Sequence, residues 1–166
     1  MKINALPDVK YLRYLFNYQE GKLFWAISRG NVLKGDRTGS VRGKGYRSLG
    51  IDGIRYFEHR VIWSWHYGAI PEGYQIDHFN GNKQDNRIEN LRLATHSDNS
   101  SNCGITRTNT SGHKGVSWCR EKRRWVAAIS INGKTINLGR YNDKGDAAKA
   151  YIEASVIHRG EFARFS

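Results

Sequence analysis

Thiols are nearly absent from this chain of 166 residues: there are two cysteines, Cys103 and Cys119, and no CxxC pair. That argues against a disulfide framework and against a zinc site built on thiolates. No apolar run approaches the ~20 residues that a membrane-spanning helix needs, no basic-then-apolar leader opens the chain, and no helix shows a lipid-facing side opposite a basic one. The expectation is a cytoplasmic protein with no membrane partner. Acidic residues are also in short supply, 15 against 27 Lys and Arg, for a formal charge of +12 and a pI near 9.9. Such a balance calls for a polyanion, and with the membrane set aside that polyanion is nucleic acid. The basic excess is shared evenly between residues 1–112 and 113–166, so both parts suit the same partner. The length allows one domain or two small ones.

Pro7-Asp8 predicts a short helix through "VKYLRYLF", and "FNYQEGKLFWA" a hairpin turning at Glu20-Gly21. "RGNVLKGDRTGSVRGKG" is rich in Gly, Lys and Arg without periodicity and predicts a loop or flexible basic ribbon. Asp52-Gly53 signals a second hairpin in "YRSLGIDGIRYFEHR". "HRVIWSWHY" then predicts a helix that sends Val61, Ile62, Trp63 and Trp65 to the core and stops at Gly68 and Pro71. A polar segment at 103–112 reads as a linker. Beyond it "GVSWCRE", "RWVAAISI" and "KTINLGRY" predict three strands. "DKGDAAKAYIEASVIHR" predicts a helix capped by Asp143, with Ala147, Ala150, Tyr151 and Ala154 on one face.

The stretch "YQIDHFNGNKQDNRIENLRLATHSDNSSN" buries little apolar surface and crowds Asn80, Asn82, Asn86, Asn90, Asn99 and Asn102 behind an Asp-His pair. Phosphodiester hydrolysis needs an activated water, neutralisation of phosphate charge and help for the leaving oxygen. A neutral His supplies the first and a divalent metal the others. Asp77 and His78 on a short strand point to opposite faces, so a fold-back of the Asn- and Gly-rich loop at 79–89 would be needed to make one site. Asn80, Asn82 and Asn86 read as turn residues, Asn102 as a helix-end residue, His59 as a capping or packing residue, and His66 and His96 as surface residues.

"IDHFNGNKQDNRIENLRLATHSDNSSN" resembles the HNH endonuclease motif in the Asp-His…Asn…Asn form of phage and intron-encoded homing endonucleases. "GYRSLGIDGIRYFEHRVIW" is similar to the hairpin and helix that precede it. The resemblance implies an α+β protein with a ββα-metal (His-Me finger) nuclease domain over residues 1–102. Asp77 and Asn99 would ligate one magnesium or manganese ion, His78 would be the general base, and Asn90 would hydrogen-bond His78 and orient its ring. Asn favours these hard cations over zinc.

"SGHKGVSWCREKRRWVAAISINGKTINLGRYNDKGDAAKAYIEASVIHRGEFARF" is similar to the plant ethylene-response-factor type DNA-binding domain, which implies a three-stranded antiparallel sheet on one helix over residues 113–166. The implied contacts to double-stranded DNA come from Lys114, Trp118, Arg120, Lys122, Arg123, Arg124, Lys134 and Arg140. Ala128, Ser130, Thr135 and Asn137 stand where the plant domains carry base-reading residues, so the plant target is not implied. The reading is a metal-dependent DNA endonuclease of homing type, in the host cytoplasm if phage-encoded. One active site suits nicking, and cutting both strands would call for a homodimer. The alternative is a DNA-binding regulator with a vestigial nuclease fold.

Overall fold

The computed structural model describes residues 4–43, 45–101, 105, 108–131 and 133–163. Asn102, Cys103 and part of the expected linker lie outside them. The chain divides into two compact units, Met1–Ala94 and Thr95–Ser166. The division falls earlier than residue 102, because the short helix that ends the Asp-His…Asn stretch belongs to the second unit.

In the first unit, helix α1 (Val9–Leu15) is capped by Asp8, whose side chain accepts from the Lys10 N–H. Strands β1 (Phe16–Gln19) and β2 (Lys22–Trp25) form the first hairpin. Its turn residues Glu20 and Gly21 both have positive φ, 45° and 77°, the mirror-type geometry that matches strand twist. Strands β3 (Ser40–Arg42), β4 (Tyr46–Ile51) and β5 (Ile54–Phe57) make a three-stranded antiparallel sheet. The β4–β5 turn is Asp52-Gly53, as expected. Helix α2 (Glu58–Tyr67) follows without a break and ends at Gly68. Strands β6 (Tyr74–His78) and β7 (Leu91–Thr95) pair in a sheet of two.

One core joins these elements: Leu12, Leu15, Phe16, Leu23, Trp25, Leu49, Ile51, Tyr56, Val61, Ile62, Ile76 and Leu91. The basic segment 29–45 departs from the expected loop. It contributes β3, and it buries Thr38 completely. His66 is half-buried rather than superficial, its Nδ1 2.9 Å from the Ile62 carbonyl and its ring edge-on to Tyr18.

In the second unit, helix α3 (His96–Ser101) is capped reciprocally: Thr95 N–H and Oγ1 donate to Asp98, and Asp98 N–H donates back to Thr95 Oγ1. Strands β8 (Val116–Cys119), β9 (Arg124–Ile131) and β10 (Lys134–Tyr141) form an antiparallel sheet in the order β10-β9-β8. Helix α4 (Lys144–Arg159) packs on it, capped by Asp143, which accepts from Gly145 and Asp146. Ala147, Ala148, Tyr151 and Ala154 are buried against Val116, Ala127 and Ile129. Small alanines let the helix approach closely, and Gly115 completes the fit. Its φ is +69°, and a Cβ there would stand 2.1 Å from the Tyr151 ring and 2.6 Å from the Ala128 carbonyl oxygen. Gly115→Ala should therefore destabilise the second unit by about 1–3 kcal/mol through overpacking, read as a lower urea midpoint with unchanged slope.

Candidate nuclease site and nucleic-acid interface

Ile76, Asp77 and His78 are buried one after another at the end of β6. Alternation along the strand gives the last two different surroundings. Asp77 meets Arg92 on β7, whose Nε and Nη2 both donate to Asp77 Oδ2 at 3.0 Å. The Arg92 guanidinium in turn lies 4.9 Å over the Phe79 ring. His78 faces Tyr46 on β4 and His59 on α2, with ring centroids 6.1 and 5.0 Å away.

The loop after β6 does fold back, and its amides hold it closed. Asn90 Oδ1 accepts from the Asn80 N–H at 3.0 Å. Its Nδ2 donates to Asn80 Oδ1 at 3.1 Å and to the Asp85 carbonyl at 2.7 Å. The Asn80 side chain donates to Asp85, and Arg87 donates twice to the same carboxylate, holding it well below the usual carboxylate range. Asn90 therefore staples the loop and does not orient His78. That partner is Asn86, read from sequence as a turn residue: His78 Nε2 lies 2.9 Å from Asn86 Oδ1. The loop closure, not the order of amides along the chain, selects which one meets the ring.

Asn86 leads to a group that sequence reasoning did not single out. Its Nδ2 donates at 2.8 Å to Glu58, the first residue of α2, whose side chain is fully buried. Arg37 reaches the same carboxylate with both Nη atoms, Thr38 Oγ1 donates at 3.1 Å, and Arg47 Nε stands 3.8 Å away. Arg37, Thr38 and Arg47 come from the basic segment and its following strand, where no pattern marks them. The first hairpin also touches this loop. Tyr18 Oη accepts from the Ile88 N–H, and Gly21 lies so close that a Cβ would be 2.6 Å from Arg87 N and 2.9 Å from Asn86 C.

Burial lowers the pKa of His78; the Asn86 contact and the Asp77 charge oppose it. His59 is pushed further, to about 3, by its own burial first and then by His78 and Arg60. His59 is thus a packed neutral ring of the site, not a helix cap.

Asn99 lies half-buried on α3, in the second unit. Among the described residues no group of three or more His, Cys, Asp and Glu is arranged to hold a metal ion, so a cation here would depend on Asp77 with amide and water oxygens.

In the second unit, Ala127 and Ile129 face α4, so Arg124, Val126, Ala128 and Ser130 lie on the opposite face of β9. Register places Ser117, Thr135, Asn137 and Arg140 on that same outward face. Asn137 and Arg140 share it despite their odd spacing because a bulge at Leu138 inserts one extra residue between them. Trp118 and Lys134 take the other face by the same logic. Trp118 is on the Val116 side, edge-on to Trp125 at 5.1 Å, and Lys134 pairs with Ile131 on the helix-facing side. Arg120, Lys122 and Arg123 are exposed around the β8–β9 turn, and Lys114 is half-buried before β8.

A family model described as HNH endonuclease matches residues 56–101. Protein 3.8 of Escherichia phage T7 is 38% identical over 107 residues, which cover 64% of this chain and 88% of that protein. The chain belongs to the HNH endonuclease family. An uncharacterised HNH endonuclease of Acanthamoeba polyphaga mimivirus is 34% identical to this HNH endonuclease over 106 residues, 63% of this chain and 54% of the relative. A solved structure of the HNH homing endonuclease I-HmuI, described by its DNA binding and cleavage, aligns over 96% of this chain and 97% of that one at 20% identity, with a TM-score of 0.43. The matched span holds Asp77, His78, Asn86, Asn90 and Asn99, together with Glu58 and His59.

The buried His59 makes stability depend on pH. The unfolded chain binds its proton near the ordinary value of 6.5, whereas the folded chain resists until about pH 3. Between those values the unfolded state holds more protons, so stability falls as pH falls, by about 1.4 kcal/mol per unit. From pH 6.5 to 5 the loss should be about 2 kcal/mol, and urea titrations of His59→Phe should lack that part of the slope.

Proposed function

We propose that this HNH endonuclease is a magnesium- or manganese-dependent enzyme that nicks duplex DNA at chosen sites, in the manner of a homing endonuclease. The observation that carries the reading is His78: a buried, neutral imidazole tied at one nitrogen, beside the Asp77 carboxylate, inside the span that matches the family. Enzymes of this family generally use a divalent metal ion. The donors present fit such an ion. Asp77 is engaged by Arg92 through Oδ2, and a carboxylate offers about four lone-pair sites on its two oxygens. Hard cations accept one carboxylate with amide and water oxygens. Asn99 is proposed as the second protein ligand from its position in the matched motif. When bound, the ion would neutralise phosphate charge and assist the leaving oxygen.

His78 takes a proton from the attacking water as the water oxygen bonds to phosphorus. The bond from phosphorus to the leaving oxygen breaks, and that oxygen ends protonated from solvent. Arg92 fixes the Asp77 carboxylate, and the Asn90 staple holds the loop that closes over the His78 side of the strand. The second unit is proposed to read sequence as an ethylene-response-factor-type sheet, with Arg124 and Arg140 on the outward face and Arg120, Lys122 and Arg123 at its rim. No described helix is long and apolar enough to cross a membrane. A phage relative supports the host cytoplasm as the setting, and a homodimer is the arrangement that would cut both strands.

The test is nicking of supercoiled plasmid. EDTA should abolish it and leave gel-shift affinity largely intact. His78→Ala should lose a factor of ~100 or more with an unchanged circular dichroism spectrum. Because burial lowers the His78 pKa, the wild-type rate should hold through pH 6.5 and decline only below it. Nicking by His78→Ala at the wild-type rate would put another base in its place, and no nicking by the wild type would leave the vestigial-fold alternative.

Arg124→Ala with Arg140→Ala tests the second unit. If both contact phosphates, the slope of log affinity against log salt should fall by about 0.9 for each. An unchanged slope in a salt series would remove the outward face of the sheet from the DNA interface.

A further inference from the structure

We propose that Phe79 is a wedge that enters the DNA stack beside the cut phosphate, so that nicking is favoured next to base steps that unstack easily. The proposal rests on the reading of Asp77 and His78 as the reacting pair.

Phe79 is the single hydrophobic residue between positions 77 and 87, and it is 58% exposed. A lone exposed apolar side chain is ordinary on a protein surface, but this one is held in place from three sides. Its N–H donates to the Asn90 carbonyl at 2.8 Å, and the next N–H, of Asn80, donates to the Asn90 side chain at 3.0 Å. The Arg92 guanidinium lies over one face of the ring, 4.9 Å from its centroid, and is itself tied to Asp77. The Arg92 side chain is only 12% exposed, so the covered face of the ring looks inward and the rest looks to solvent. A ring ordered in advance has little freedom to lose when a partner covers it, which favours binding.

Position identifies the partner. Adjacent Cα atoms are about 3.8 Å apart, close to the ~3.4 Å rise of one base step. A duplex with a phosphate at Asp77 and His78 therefore brings a neighbouring nucleotide onto Phe79. A phenyl ring donates no hydrogen bond to a phosphate or a base edge, so it offers apolar area and a π-face. Apolar wedges of this kind, entering from the minor groove, partly unstack a base step and kink the duplex. That deformation costs least at TA and CA/TG steps. Sequence preference would then arise in the first unit without any base being read by hydrogen bonds.

In the experiment the full chain nicks a plasmid of known sequence in magnesium, and the nicks are mapped by sequencing. Wild-type nicks should be enriched beside TA and CA/TG steps. Phe79→Ala should keep its fold, because the ring is exposed, and lose the enrichment. Phe79→Leu, still an apolar wedge, should keep it. A duplex with the preferred site, carrying 2-aminopurine at the flanking step, is then titrated in EDTA so that binding is read without cleavage. The fluorescence of this base rises when it unstacks. Wild type should raise it severalfold. Phe79→Ala should not, and should bind about 5–150-fold more weakly, the range of one base–aromatic contact. An unchanged nick distribution in Phe79→Ala, or an equal 2-aminopurine signal, overturns the wedge. If His78→Ala nicks at the wild-type rate while Phe79→Ala loses the enrichment, the reading of His78 fails and the wedge stands. If the wild type does not nick at all, that reading fails and the proposal falls with it.

Discussion

A carboxylate with no solvent contact governs the first unit. Stripped of water, Glu58 would be costly to keep charged, and it is tolerable only because its oxygens are saturated by donors. Those donors come from distant places in the chain: Arg37 and Thr38 before β3, Asn86 after β6, and Arg47 close by on β4. Their convergence explains why a segment with no hydrophobic pattern nevertheless has a fixed course. It also explains why α2 begins where it does, with Glu58 at its first position rather than an exposed polar cap.

The asymmetry of the Asp77 and His78 surroundings follows from that convergence. His78 looks into a wall of rings and amides, where removal from water keeps it neutral. Asp77 looks toward Arg92, whose fork keeps its carboxylate oriented. The proposed roles of water-activating base and oxygen ligand need opposite conditions, and neighbouring positions on one strand end offer both. The Asn90 staple and the first hairpin then prevent the loop from relaxing away. This places β1 and β2 among the parts that shape the site, although they carry no reacting group.

What could be read from the sequence was what local chemistry encodes. The Glu20-Gly21 and Asp52-Gly53 turns, the Asp8 and Asp143 caps and the alanine face of α4 each depend on residues a few positions apart. The Asp77-His78 pair and its trailing amides were legible as a pattern for the same reason. Glu58 and its partners were not, because hydrogen bonds across 20 to 28 positions leave no periodic trace. The exchange of roles between Asn86 and Asn90 has the same origin. Both are asparagines in one polar loop, and only closure in three dimensions tells the staple from the ring partner. The face that Trp118 and Lys134 take is set by parity, which no strand announces until its partner is known. The unit boundary before Thr95 was hidden because the motif runs on through it.

The bulge at Leu138 carries a consequence for how the outward face of the sheet can diverge. Side-chain direction is preserved on both sides of the extra residue, with Asn137 opposite Ala128 and Arg140 opposite Val126. A strand that absorbs one surplus residue there can also shed it without turning either neighbour inward. Strand length and the identity of the outward residues are therefore uncoupled at this position. A small insertion or deletion near it therefore leaves the direction of every outward residue unchanged, and those residues can be exchanged one by one without disturbing the packing beneath them.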